Sequence, residues 1–245
     1  MTTLLLILIA TILDSLVAFV GAISLFMSKK KFEKIILYLV AFSSGALLGG
    51  AFLHLYPESV EHLGMDTSSL ALLAGFSLFF IMERVLHWHH CHERKCKVHP
   101  VSYLILIGDG LHNFIDGLVI AASFVVSPAF GVVTTVLIIA HEIPQELGDF
   151  AVLVYGGMKR LRALMFNFVS QVTCVLGGIL GFYLSSVYSA SYYLLPIAAG
   201  GFIYISASDL IPALHKEENV KRSAVNFILF LVGLAFIFVV KALEV

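Results

Sequence analysis

Residues 101–156 read VSYLILIGDGLHNFIDGLVIAASFVVSPAFGVVTTVLIIAHEIPQELGDFAVLVYG, two apolar runs (101–126 and 130–156) joined by the three residues 127–129. A spanning helix needs about 20 apolar residues rising 1.5 Å each, so either run can cross a bilayer. The runs are continuous rather than alternating, which predicts helices and not barrel strands. So short a connector makes the two helices antiparallel neighbours.

Working outward, the same pattern recurs at 3–27, 36–57, 68–87, 163–186, 192–214 and 224–243, giving eight spans. Composition agrees. Of 245 residues 60% are hydrophobic and 13% charged, against roughly 45–50% and about 25% in soluble domains. Eight spans consume about 160 residues and leave too few for a further soluble domain. The expected fold is therefore all-α and polytopic, with residues 1–245 a single transmembrane domain in the lipid bilayer. A net charge of −1 argues against nucleic acid as a partner.

Basic residues set the orientation. Lys29, Lys30, Lys31 and Lys34 precede the second span. Arg84, Arg94, Lys95 and Lys97 surround the third connector, Lys159, Arg160 and Arg162 the fifth, and Lys216, Lys221 and Arg222 the seventh. Only Lys241 falls on the other side. The positive-inside rule then puts the odd connectors in the cytoplasm and both termini outside, extracellular or periplasmic, in a multi-pass cell-membrane protein. A symmetry also shows: Gly45, His54 and Pro57 in the second span match Gly200, Asp209 and Pro212 in the seventh. These spans run in opposite directions, so the match is inverted, a habit of transporters with a site at the repeat interface.

Ionisable groups are costly at the bilayer centre. The fourth span nevertheless carries Asp109, His112, Asn113 and Asp116, and the fifth His141, Glu142, Gln145, Glu146 and Asp149. No Lys or Arg occupies the middle of a span to neutralise them, so protons or a cation must. His112 and His141 each lie about 16 Å from where their span begins, close to mid-depth from opposite surfaces. Residues three and four apart share a helix face. Asp109, His112 and Asp116 form one stripe, with Asn113 beside it; His141 and Gln145 form another, and Glu142, Glu146 and Asp149 a third. Such stripes on facing helices can build two neighbouring metal sites, and imidazole with oxygen ligands suits zinc and its first-row neighbours. Pro144 removes an amide hydrogen and frees the Ala140 carbonyl beside His141.

On residues 112–117 (HNFIDG) and 141–149 (HEIPQELGD), the chain resembles the ZIP (Zrt/Irt-like protein) family of divalent metal transporters. The resemblance extends to 45–58 (GALLGGAFLHLYPE) and 200–212 (GGFIYISASDLIP). It implies a 3+2+3 inverted-repeat bundle, an elevator-like motion, and transport of Zn2+, or in some members Fe2+, Mn2+ or Cd2+, toward the cytoplasm. It also implies a primary site of His112, Asp116, His141 and Gln145 and a secondary one of Asn113, Glu142 and Glu146, with Asp116 or Gln145 shared. Two departures stand out. Gln145, a weaker ligand, replaces the His or Glu of family members, and Ile115 replaces a frequent Pro, so the fourth helix should be less broken. The reading allows a homodimer.

His54 and Asp209 are candidate entrance and exit positions, and Asp109 and Asp149 candidate inner steps. Asp14 reads as isolated and structural. The connector 88–100 is a cytoplasmic His/Cys-rich loop in which His89, His90, Cys91, His92 and Cys96 could receive or sense metal, or serve as a solvated connector. Two other functions use the same residues. An intramembrane zinc metalloenzyme would need H-E-x-x-H, but position 145 lacks the second imidazole, so no enzyme is expected. A passive metal channel would have the same lining.

Overall fold

The computed structural model describes residues 2–26, 28–88, 100–155, 158–185 and 190–241. Among these residues there are eight helical rods and no strand. The first, α1 (3–26), is α-helical over Thr3–Ser15 and 3-10 over Leu16–Phe26. The second, α2 (29–63), runs through Lys29–Gly50, Ala51–Leu55 and Tyr56–Leu63. Then come α3 (Met65–Trp88), α4 (Pro100–Val126) and α5 (Pro128–Tyr155). The sixth, α6 (160–185), is interrupted at Val172 between Arg160–Gln171 and Thr173–Ser185. The last two are α7 (190–214, ending in Ser206–Leu210 and Ile211–Leu214) and α8 (Val220–Lys241). The residues 89–99, which include His89, His90, Cys91, His92 and Cys96, lie outside the described residues.

Seven of the rods are long and apolar enough to cross a membrane. The eighth, α5, spans 28 residues and carries the HEIPQELGD run in its second half. Burial is reversed relative to a soluble protein. Leu5, Ile9, Ile12 and Leu13 of α1 and Phe227, Ile228, Phe238 and Val239 of α8 face outward, whereas Asp14, Asp109, Asp116, His141, Glu142 and Glu146 are buried. Hydrocarbon outside and ionisable groups inside is the arrangement a bilayer imposes.

The helices associate in two sets. In one, α4 and α6 meet along reciprocal glycines: a Cβ on Gly117 would lie 2.0 Å from the Cys174 carbonyl oxygen, and one on Gly177 the same distance from that of Phe114. This pair packs with α1 and α5. In the other set, α2 closes on α8 and α3 on α7. Gly45 abuts the Phe230 carbonyl and Gly233 that of Phe42; likewise Gly200 abuts Leu72 and Gly75 abuts Ile197. Small residues let backbones touch where no hydrophobic force drives helices together. The two seams correspond residue by residue. Phe42, Gly45 and Pro57 match Ile197, Gly200 and Pro212 at one constant offset, and Leu72 and Gly75 match Phe230 and Gly233 at another.

The second span was expected to end at Pro57, yet α2 continues to Leu63. The reason is a π-helical turn over Ala51–Leu55, in which the Tyr56 N–H reaches back to the Ala51 carbonyl. In α7 the turn Ser206–Leu210 repeats this, with Ile211 N–H on the Ser206 carbonyl. A widened turn lets a helix pass a proline. Likewise α5 is unbroken at Pro144; the carbonyl of Ala140 instead accepts a hydrogen bond from Ser43 Oγ of α2 at 2.7 Å. As expected from Ile115, α4 is continuous.

Candidate metal centre

Helical spacing and the α4–α5 packing turn His112, Asp116, His141 and Glu142 toward one point, all buried. His112 Nε2 lies 3.2 Å from His141 Nε2, 3.4 Å from Asp116 Oδ2 and 3.2 Å from Glu142 Oε1. From His141 Nε2 the same two oxygens are at 3.5 and 3.2 Å. Ligands about 2.0–2.1 Å from a tetrahedral zinc are roughly 3.3 Å apart, so these five separations are edges of such a tetrahedron. Asp116 Oδ2 and Glu142 Oε1 have no hydrogen-bond donor. His141 Nδ1 faces the Leu137 carbonyl at 3.4 Å, an arrangement that favours a proton on Nδ1 and a lone pair on Nε2.

A second group lies beside the first: Asp109, Glu142 and Glu146 each have an oxygen within 4.8 Å of the others. Asn113 Nδ2 donates to Asp109 Oδ1 at 2.9 Å. Gln145 lines the same cavity as both imidazoles, and its Nε2 lies 3.2 Å from Asp109 Oδ1. The structure thus gathers Glu142 with His112, Asp116 and His141.

Behind these acids stands α6, whose polar residues the sequence reading passed over. Asn167 donates to the Glu146 carboxylate, Ser170 Oγ to Asp109 Oδ2 at 2.5 Å, and Thr173 to the Gly110 carbonyl. Gln171 Nε2 is 3.1 Å from both Glu142 Oε2 and Asp14 Oδ2. Asp14 is therefore tied to the site rather than isolated. The signal lies in NFVSQ, where Asn167, Ser170 and Gln171 are spaced for one face of an apolar helix.

A cavity of about 350 Å³ leads from the site. His112, His141, Asp109, Gln145 and Asp149 form one wall, and Val40, Phe79, Met82, Glu83, Tyr204, Ile205 and Leu210 the other. Glu83, also unforeseen, accepts a hydrogen bond from the Tyr204 hydroxyl. Glu83, Asp149 and Leu210 approach the helix ends that carry the basic connectors, so the cavity runs toward that side. On the opposite side His54 is buried, stacked on Phe130 with ring centroids 3.9 Å apart and its Nε2 2.9 Å from Thr134 Oγ1. Asp209 sits in the π-helical turn of α7, its side chain outside the described residues.

A family model described as ZIP zinc transporter matches residues 1–95 and 88–241. The chain is similar to zinc transporter ZIP13 of Pongo abelii, 34% identical over 217 residues covering 80% of this chain and 64% of that one. It is also similar to metal cation symporter ZIP14 of Homo sapiens, 28% identical over 286 residues, with 82% and 58% covered. Zinc transporter YKE4 of Saccharomyces cerevisiae is 31% identical over 237 residues, with 80% and 68% covered. The chain thus spans 58% of the length of the human ZIP14 that it matches. These relatives are named as transporters, not enzymes. With a family model matched along almost its whole length, the chain belongs to the ZIP zinc transporter family.

Proposed function

We propose that this protein carries divalent transition metal, Zn2+ foremost, across a membrane toward the cytoplasm. The observation that carries the reading is the set of four buried ligand atoms at tetrahedral separations, unneutralised by Lys or Arg among the described residues. A doubly charged cargo held by His112, Asp116, His141 and Glu142 offsets both carboxylates. Fe2+ and Mn2+ are competing cargoes, since Asn113, Asp109 and Glu146 add hard oxygen ligands nearby, and the softer Cd2+ competes for the two imidazoles.

The cavity supports release on the side of the basic connectors: the ion passes from the imidazoles to Asp109, Gln145 and Asp149, then into water past Glu83. The matching glycine seams and π-helical turns support an inverted repeat, with α2, α3, α7 and α8 as a frame. Against it α1, α4, α5 and α6, which hold every ligand named above, slide as an elevator-type unit. In purified proteoliposomes, external Zn2+ should enter, and unlabelled Zn2+ preloaded inside should accelerate tracer uptake. No uptake refutes metal transport; uptake without acceleration identifies a pore.

A further inference from the structure

The fixed position of Glu142 has a source outside α4 and α5. Its carboxylate is fully buried, with Oε1 facing both imidazoles and Oε2 held by Gln171 Nε2 at 3.1 Å. Gln171 is itself fully buried and clamped from two sides. Its Nε2 is 3.1 Å from Asp14 Oδ2, and its main-chain carbonyl accepts Ser15 Oγ–H at 3.1 Å. It also ends the first half of α6, beside the interruption at Val172. So α1 fixes Gln171, and Gln171 fixes Glu142.

Building on the proposed cargo site, we propose that Gln171 sets metal preference by limiting Glu142 to one ligand oxygen. A carboxylate whose second oxygen is engaged by an N–H donor binds a metal through the first alone. With two imidazoles, Asp116 and one oxygen of Glu142, the site has four ligands, the number zinc favours. A second oxygen from Glu142 would raise the count to five and the share of hard ligands with it, which suits Mn2+ better than Zn2+. Gln171 touches no cargo; it is a positioning residue acting through Glu142, as partners behind metal ligands commonly do. Asp14 serves as its anchor. The carboxamide has one N–H for each carboxylate, and losing the Asp14 end lets the side chain swing away from Glu142.

The test is metal binding by the purified full chain, read as the ratio of the Kd values for Mn2+ and Zn2+. Gln171→Leu keeps similar volume without a donor and should lower that ratio about tenfold, the lower end of effects seen behind metal ligands. Asp14→Asn, which keeps an acceptor oxygen, should leave the ratio near wild type, whereas Asp14→Leu should lower it in the same direction as Gln171→Leu. An unchanged ratio in Gln171→Leu overturns the proposal. Because that variant can fail to fold, X-ray absorption of the Zn2+-loaded wild-type protein gives a second reading. Glu142 bound through a single oxygen agrees with the proposal; Glu142 bound through both overturns it. Wild-type protein that binds no Zn2+ would instead overturn the cargo site itself.

Discussion

Pro144 and Ser43 make a reciprocal pair that can be tested by exchange. Pro144 deprives the Ala140 carbonyl of its helical donor, and Ser43 Oγ replaces it at 2.7 Å, from the other helix set. Ser43→Ala leaves that half-buried carbonyl without this donor, a cost of about 1 kcal/mol, the low end for an unpaired polar group. Under the sliding motion proposed above, the penalty falls only on the arrangement in which α2 and α5 meet here. Each 1.4 kcal/mol is tenfold in population, so the inward-open form should lose about fivefold relative to its alternative. Pro144→Ala restores a donor within α5 and should cancel most of the effect of Ser43→Ala. The assay is the rate at which a membrane-impermeant maleimide labels Met82→Cys from the cytoplasmic side. Cys91 and Cys96 are replaced by Ser, and the buried Cys174 is retained. Slower labelling in Ser43→Ala, recovered in the double variant, is expected. Equal labelling, or no recovery, refutes the reasoning.

His112→Ala removes one of the four proposed ligands and should abolish Zn2+ uptake at unchanged protein level; normal uptake would take His112 out of the site. Gly233→Ala would put a methyl 1.9 Å from the Phe42 carbonyl and should sharply reduce folded yield, as overpacking costs about 1–3 kcal/mol. Gly148→Ala meets nothing within 4 Å and should express normally; equal yields for the two would contradict the tight α2–α8 seam. Deleting residues 89–96 should weaken the response of uptake to internal zinc. Unchanged rate and feedback would make that loop a solvated connector.

The apolar runs made the spans legible, because hydrocarbon thickness and helical rise leave little choice. The stripes on α4 and α5 were legible for a similar reason, since period alone puts His112 and Asp116 on one face. Which stripe of α5 turns inward was not. Rotation of a helix about its axis is set by long-range packing, and here it brings Glu142 within 3.2 Å of both imidazoles. The polar face of α6 escaped because Asn167, Ser170, Gln171 and Thr173 bear no charge, and attention followed ionisable groups. Asp14 looked solitary because its partner Gln171 lies far along the chain. The π-helical turns left only a trace, the paired prolines at 57 and 212, since no residue type encodes an i→i−5 bond.

The wall facing the ligands is mostly grease. Val40, Phe79, Met82, Ile205 and Leu210 offer a passing cation nothing to bind. Under the proposed carrier motion, an ion seated on His112 and His141 would cross together with the helices that hold it. Among the described residues, the Ser43–Ala140 bond and the His54–Thr134 contact are two polar fastenings that such a motion would have to undo. On that proposal turnover would answer to those clasps and affinity to the metal-facing side chains, so the two could be tuned apart.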